Sequence, residues 1–181
     1  MNLKRMLLSI RYMLFFDQMK RADFARKHDI YHSVGKYVRL PMSLVPYRAD
    51  LISFHDNIEV ASGVKFVTHD AIHGVLNYKF HGTKENPEFE EQFGCIEIMD
   101  NVFIGAGTTI LGNVRIGPNA IIGANSLVNS DVPEGTVYAG SPAKQIGTFD
   151  ALVEKRRQVR ACVDSDEIWK AFEKKRNKQK E

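Results

Sequence analysis

Cysteine, long apolar runs and basic-aromatic stretches are scarce in this chain. Two cysteines in 181 residues, Cys95 and Cys162, exclude a disulfide framework or a zinc ribbon, which need more thiols at closer spacing. Two reduced thiols in a cytoplasmic protein are the expectation. The most apolar run, Met6 to Phe16, is interrupted by Arg11 and falls short of the ~20 residues a membrane span needs. No small-residue cleavage site follows it, so no secretory signal is expected. The net charge of +3 is unevenly spread, because residues 1–36 hold eight basic and three acidic groups and residues 151–181 ten and six. The middle is therefore acidic. Positive charge confined to the tails, with no aromatic platform among it, speaks against nucleic-acid binding. A basic arm can instead meet an anionic membrane or an acidic polymer, or simply be a solvated helix face. A hydrophobic content of 44% with 26% charged residues is that of an ordinary soluble domain with a real core.

What the chain has is a period of six. Ile98, Ile104, Ile110, Ile116, Ile122 and Val128 are all aliphatic. Three residues beyond the first five stand Asn101, Gly107, Asn113, Asn119 and Asn125, residue types that accept a left-handed backbone cheaply. Two residues before each aliphatic from Ile104 on stand Val102, Thr108, Val114, Ala120 and Ser126, all small or β-branched. Six fits neither a helix nor a lone strand, so it marks a repeat that stacks into a parallel β-helix with three flat faces. Upstream, Phe54, Val60 and Phe66 take the inward positions, with Ile52, Ile58 and Val64 two before them. Asn57, Gly63 and His69 take the corners.

The spacing from Phe66 to Ile98 is not a multiple of six, so residues 70–94 leave the stack as a loop. Long excursions on a rigid scaffold usually carry function. Three segments follow: an N-terminal amphipathic segment (1–36), a β-helix domain (37–147) with the 70–94 excursion, and a helical tail (148–181). Residues 1–30 read as one amphipathic helix, with Leu3, Met6, Leu7, Ile10, Met13 and Leu14 as its stripe. That stripe is expected to cap the open end of the β-helix or pack on a neighbouring subunit, with a membrane interface as the alternative. The stack is expected to end near Asp131, at Val132-Pro133-Glu134-Gly135. A helix is expected over 148–162, and a second one capped by Ser165.

Three segments, FHDNIEVASGVKFVTHD (54–70), IMDNVFIGAGTTILGNVRIGPNAIIGANSLV (98–128) and VPEGTVYAGSPAKQIG (132–147), carry a resemblance. In this combination the chain resembles the hexapeptide-repeat acyltransferases, in the branch of the maltose/galactoside and capsular-polysaccharide O-acetyltransferases. The resemblance implies a left-handed parallel β-helix flanked by N- and C-terminal helices, a homotrimer, acetyl-CoA as donor and a carbohydrate or other hydroxyl acceptor. Handedness comes from the resemblance alone, since the general rule for parallel crossovers is right-handed. Within it, His69 matches the catalytic histidine. The chemistry agrees, because a hydroxyl needs a base to become a nucleophile and imidazole titrates near neutrality. Asp56 and Asp70 are candidates to orient the ring or meet the acceptor, and His73, Tyr78, Lys79 and His81 to line the acceptor site. For the donor, Phe103 stands where relatives often have Trp, Ala106 and Gly107 flank the same groove, and Ala124 matches a position whose backbone meets the pantetheine arm. Ser141 and Lys144 belong to the GSPAK exit motif, where Lys144 is placed to meet a phosphate. Ser130 departs from the Thr-Lys of relatives and removes a cation, which Arg115 or the basic tail would have to supply.

No metal is expected. A different class remains open, a zinc hydratase of the gamma carbonic anhydrase type using His55, His69 and His73. A non-catalytic scaffold is a third reading. On the transferase reading, a xenobiotic such as an antibiotic is the alternative acceptor.

Overall fold

The structure is a computed structural model that describes residues 3–81, 87–159 and 164–177. Two helices, α1 (Leu3–Met13) and α2 (Gln18–Lys27), precede strand β1 (Ser33–Val34). The first coil is β2 (Ile52–Phe54), β3 (Ile58–Val60) and β4 (Lys65–Val67), followed by helix α3 (Ile72–Lys79). The second coil is β5 (Ile96–Ile98), β6 (Val102–Ile104) and β7 (Thr109–Leu111); the third is β8 (Val114–Ile116), β9 (Ala120–Ile122) and β10 (Leu127–Val128). A hairpin, β11 (Thr136–Gly140) and β12 (Ala143–Thr148), and helices α4 (Phe149–Arg157) and α5 (Ser165–Asn177) complete the chain.

The strands form three parallel sheets, one per face. The first holds β1, β2, β5 and β8; the second β3, β6, β9 and β11, with β12 antiparallel at its edge; the third β4, β7 and β10. In β2, β3, β5, β6, β8 and β9 the first and third side chains are buried and the middle one faces out, whereas in β7 only the middle one, Ile110, is buried. Ile98, Ile104, Ile110, Ile116 and Ile122 are fully buried, stacked in one column per face: Ile98 under Ile116, Ile104 under Ile122, and Ile110 between Phe66 and Val128. Burial of each contributes ~1.5–3 kcal/mol. Thr108 and Ser126 are buried too, and both hydroxyls donate to the Gly123 carbonyl, at 3.1 and 2.7 Å.

The corners are where the sequence pattern predicts them. Asn57, Gly63, Asn101, Gly107, Asn113, Asn119 and Asn125 all have φ between 54° and 73°. Asparagine adds what glycine lacks: Asn57 donates to Asn101 Oδ1 (2.8 Å), and Asn101 to Asn119 Oδ1 (3.0 Å), linking three coils along one edge. Second and third coils pair at a separation of 18 residues, as Ile96 with Val114 does. First and second coils pair at 44, as Ile52 with Ile96 does, so a 26-residue excursion sits on an 18-residue coil.

Several expectations are corrected. The excursion is not all loop, since it contains α3. The N-terminal helix is two helices, because Asp17 takes an extended conformation and its carboxylate accepts from Lys20 N at 2.8 Å, starting α2 afresh. Among the described residues of the α1 apolar stripe only Met13 packs against the core, as a partly buried side chain. Met6, Leu7, Ile10 and Leu14 are exposed, while Tyr12 and Ser9 are buried. The cap is made by Tyr12, Phe24, Tyr31 and Leu40, with the Tyr31 ring edge-on to Phe54 at 5.1 Å. Arg21 is buried beneath them and is satisfied by the Leu40 carbonyl (2.9 Å) and that of Phe15. The stack continues past Asp131, since Val132 bridges Ile116 and β11 pairs with β9.

Residues Met1–Phe149 form one compact unit and Asp150–Glu181 a second. In the second, Asp164 and not Ser165 supplies the cap of α5, its Oδ1 accepting from Asp166 N (2.9 Å) and Glu167 N (3.0 Å). α4 ends at Arg157, short of the expected 162. Cys95 is an exposed free thiol, and Cys162 lies outside the described residues.

Truncating the column measures the packing. Ile110→Ala is expected to lower the urea-unfolding free energy by about 2–5 kcal/mol. Ile110→Asp, which strands a charge in the column, should abolish the cooperative transition. An unchanged midpoint for Ile110→Asp would refute the inward register.

Candidate active site

β4 ends at Val67, and the chain then departs into the excursion through Thr68, His69 and Asp70. It returns alongside itself. Gly94 N donates to the Thr68 carbonyl (2.8 Å), Asp70 N donates to the Gln92 carbonyl (3.2 Å), and His69 bridges Phe93 in antiparallel fashion. His69 was expected as a left-handed corner, but it is not among the positive-φ residues. A pair of antiparallel strands at the neck of the excursion replaces the corner, and this holds the His69 backbone from both sides.

The imidazole is half-buried between two rings. Tyr47 meets it edge-on at 4.7 Å (74°), and Phe93 lies nearly parallel at 6.3 Å (27°). Its Nδ1 is buried and has no hydrogen-bond partner among the described residues. Beside the ring opens a cleft of about 270 Å³, walled by Asp70, Gln92 and Phe93 on one side and Leu111, Gly112 and Asn113 of the next coil on the other. Tyr47 is the residue the sequence pattern missed. It comes from the irregular arm before the first coil, and its carbonyl accepts from Thr68 Oγ1 at 2.8 Å. Neighbouring Arg48 has φ 51° and places its guanidinium 5.0 Å from the Phe93 ring centre, so the arm grips the histidine's platform twice. Nothing periodic at 47 or 48 marks them.

The other acceptor candidates separate. Asp70 lines the cleft, and its Oδ1 accepts from Ile72 N (3.0 Å) at the start of α3. His73 lies in the first turn of α3, half-buried, its Nδ1 likewise without a partner among the described residues. Tyr78, Lys79 and His81 are exposed further along the excursion. None of these four lines the cleft. Asp56 stands at the corner between β2 and β3, where its Oδ1 accepts from Lys36 N (2.7 Å) and its own N donates to Asp100 Oδ1 (2.8 Å). That makes it a fastener of stacked corners, away from the His69 cleft.

The donor candidates occupy a different edge, where the second sheet turns into the third. Ala106 and Ala124 are exposed there in successive coils, joined by a bond from Asn125 N to the Ala106 carbonyl (2.8 Å). The backbones nearly touch: a Cβ on Gly105 would come within 2.5 Å of Ala124 N. This strip of small residues leads to the hairpin, where Gly140 N donates to Ser126 Oγ (3.1 Å). Ser141 is exposed at the hairpin turn and Lys144 on β12, paired with Ala139. Phe103 is set apart from the strip, facing outward mid-way along β6 in a groove of about 420 Å³ with Tyr37, Arg39, Glu59 and Ile121.

Residues 96–130 match the model of the bacterial transferase hexapeptide (six repeats). Over its second and third coils the chain is similar to the hexapeptide-repeat transferases. A 2,3,4,5-tetrahydropyridine-2,6-dicarboxylate N-acetyltransferase of Staphylococcus aureus (strain bovine RF122 / ET3-1) is 42% identical over 66 residues, which are 36% of this chain and 28% of that protein. The chain thus spans under a third of that curated relative. Among solved structures, a maltose O-acetyltransferase of Clostridium difficile 630 aligns with a TM-score of 0.60 at 24% identity, covering 80% of this chain and 84% of that one. The hexapeptide-repeat acetyltransferase VCA0836 of Vibrio cholerae O1 biovar eltor, complexed with acetyl coenzyme A, aligns at 0.54 with 21% identity, covering 81% and 85%. These structures establish the fold as the left-handed parallel β-helix of the hexapeptide repeats.

The histidines of the zinc alternative do not come together within the described chain. His55 lies on the first face, where its Nε2 and Glu97 Oε1 are 3.0 Å apart. No group of three His, Cys, Asp or Glu side chains among the described residues could hold a metal ion. Arg115, considered for the missing phosphate contact, is on the same face and ion-paired to Glu97 at 2.6 Å. The His55 hydrogen bond, and then that of Arg115, hold the Glu97 carboxyl below its usual 4.5.

A carboxyl with a lowered folded pKa stabilises the fold above its unfolded value, and that gain is lost as pH falls through the folded one. The Glu97 contribution should therefore be intact at neutral pH and disappear below about pH 4.5. Denaturant titrations of native and Glu97→Gln chains should differ at pH 7 and converge in acid. A difference that persists in acid would show that the bridge does not depend on the carboxylate charge.

Proposed function

We propose that this chain is an acetyl-CoA-dependent O-acetyltransferase acting on a hydroxyl of a sugar or polysaccharide precursor, of the capsule or lipopolysaccharide type, with His69 as general base. The observation that carries this reading is the His69 imidazole, held between Tyr47 and Phe93 at the mouth of a cleft. Nδ1 is the buried nitrogen, so Nε2 is assigned the proton transfer. It takes the acceptor hydroxyl proton as that oxygen attacks the thioester carbonyl. The tetrahedral intermediate then collapses, the carbon–sulfur bond breaks, and the imidazolium returns its proton to the departing coenzyme A sulfur. A positioned base supplies about 10²–10⁴-fold, and holding both substrates together supplies the larger share.

The small-residue strip at Ala106, Gly107 and Ala124 suits a narrow pantetheine arm, since nothing larger than a methyl projects from these three positions. Lys144 beyond the hairpin turn is assigned to a coenzyme A phosphate, and Phe103 to the outer part of the donor groove. In one chain the strip and His69 lie on opposite edges of the third face. A homotrimer that sets the strip of one copy against the His69 edge of the next would complete the site. Acetyl-CoA is a cytoplasmic metabolite, and the reaction is placed in that compartment. The acceptor enters beside Asp70, with His73, Tyr78 and Lys79 on α3 as further candidates around it.

Calorimetric titration with acetyl-CoA should show one site per chain. His69→Ala should retain that binding while turnover on a sugar acceptor drops by about 10²–10⁴-fold. Undiminished turnover would refute the base assignment, and absent binding would refute the transferase reading. The same acceptor screen, extended to antibiotics and amines, separates sugar from xenobiotic and O- from N-transfer. Lys144→Ala should weaken coenzyme A by about two- to fivefold, the range of an exposed ion pair, and leave 3′-dephospho-coenzyme A unchanged. Equal weakening of both ligands would remove the phosphate assignment.

A further inference from the structure

We propose that the outer face of α1 and the α1–α2 junction dock on an anionic lipid surface. This inference is independent of the reading of the His69 cleft. α1 has apolar residues on both sides: Tyr12 (1% exposed), with the partly buried Leu8 and Met13, faces the protein, while Leu7 (51%), Ile10 (45%) and, just past the helix end, Leu14 (70%) face outward. Phe16, between the helices, is 92% exposed. An apolar row of this size on a helix of 11 residues is far more than scattered surface hydrophobicity requires. The core does not need it, because the end of the β-helix is already closed by Tyr12, Phe24, Tyr31 and Leu40.

Charge selects the occupant. α1 carries Lys4, Arg5 and Arg11 and no acidic residue. Arg11 stands four residues after Leu7 and three before Leu14, at the edge of the apolar row. Its exposed guanidinium lies 5.8 Å from the Phe24 ring centre, and a long cationic side chain on that edge can turn to a headgroup while its neighbours enter the acyl boundary. The nearby acids are occupied within the chain: Asp17 caps α2, and Asp23 pairs with Arg26 at 2.6 Å. Lys20 adds a further exposed cation on the first turn of α2. The core of a protein–protein interface is depleted in charge, whereas an anionic bilayer takes up cations and apolar side chains together. No described helix is long and apolar enough to cross a membrane, so the contact is peripheral.

Flotation of the full chain with phosphatidylcholine vesicles, with and without phosphatidylglycerol, tests this. The native chain should float only with the phosphatidylglycerol vesicles. Binding should fall between 0.1 and 1 M salt, as the screening length shrinks from about 10 to about 3 Å. Arg11→Glu should weaken partitioning by about fivefold or more, and the double variant Leu14→Ser/Phe16→Ser should abolish it. These positions are exposed, so an unchanged melting temperature and an unchanged acetyl-CoA titration will certify the fold. No flotation of the native chain would overturn the proposal, as would flotation of the double variant. A loss of oligomer mass in the double variant by light scattering, without vesicle binding by the native chain, would assign the face to contacts between copies and overturn it as well. Intact acetyl-CoA binding with failed flotation defeats this inference alone.

Discussion

A backbone that turns left-handed every six residues is the constraint on which the rest of this molecule depends. Three straight runs joined by such turns close an 18-residue coil, and parallel strands then pair from coil to coil along each face. The interior has room for little but apolar side chains, which is why the inward positions read Ile98, Ile104, Ile110, Ile116 and Ile122, while the buried Thr108 and Ser126 hydroxyls are taken up by the Gly123 carbonyl. Everything at a corner must tolerate positive φ, which is why asparagine recurs there and links its neighbours above and below. Packing and turning are coupled, because a slipped corner would point an inward residue at water.

Rigidity of this kind suits a site made at its edges. The excursion leaves and rejoins the stack as an antiparallel pair, so His69 sits on the scaffold itself and not on the far end of a loop. Tyr47, Arg48 and Phe93 then fix the ring through aromatic packing. The strip of small residues at Ala106 and Ala124 is built in the opposite way, from residues too small to obstruct, on corners packed so closely that an added Cβ would strike backbone. One edge supplies an oriented functional group and the other an open lane, with the third face between them.

Much of this was legible beforehand, for a physical reason. A period of six is a local property, and the inward column and the corner residues follow from it residue by residue. His69 was legible because its position at the end of a coil coincides with a break in register. Its surroundings were not. Tyr47 and Arg48 lie in an arm with no periodicity and reach His69 only through the fold. Asp56 reads like a site residue and proves to be a corner fastener, since an aspartate before a left-handed turn looks the same in either role. Ser165 loses its capping role to Asp164 by one position, within the ordinary uncertainty of a helix end.

The sequence by itself determined the repeat and the place where the excursion leaves the stack. These depend on side-chain volume and backbone preference at fixed spacing, which a linear pattern carries in full. Only the tertiary structure decided which way α1 faces, what grips His69 and which edge each candidate occupies. Amphipathicity states that a helix has an apolar side but not whether the core has room for it. Here the capping space was already filled by Tyr12, Phe24, Tyr31 and Leu40, so the apolar side was left facing out.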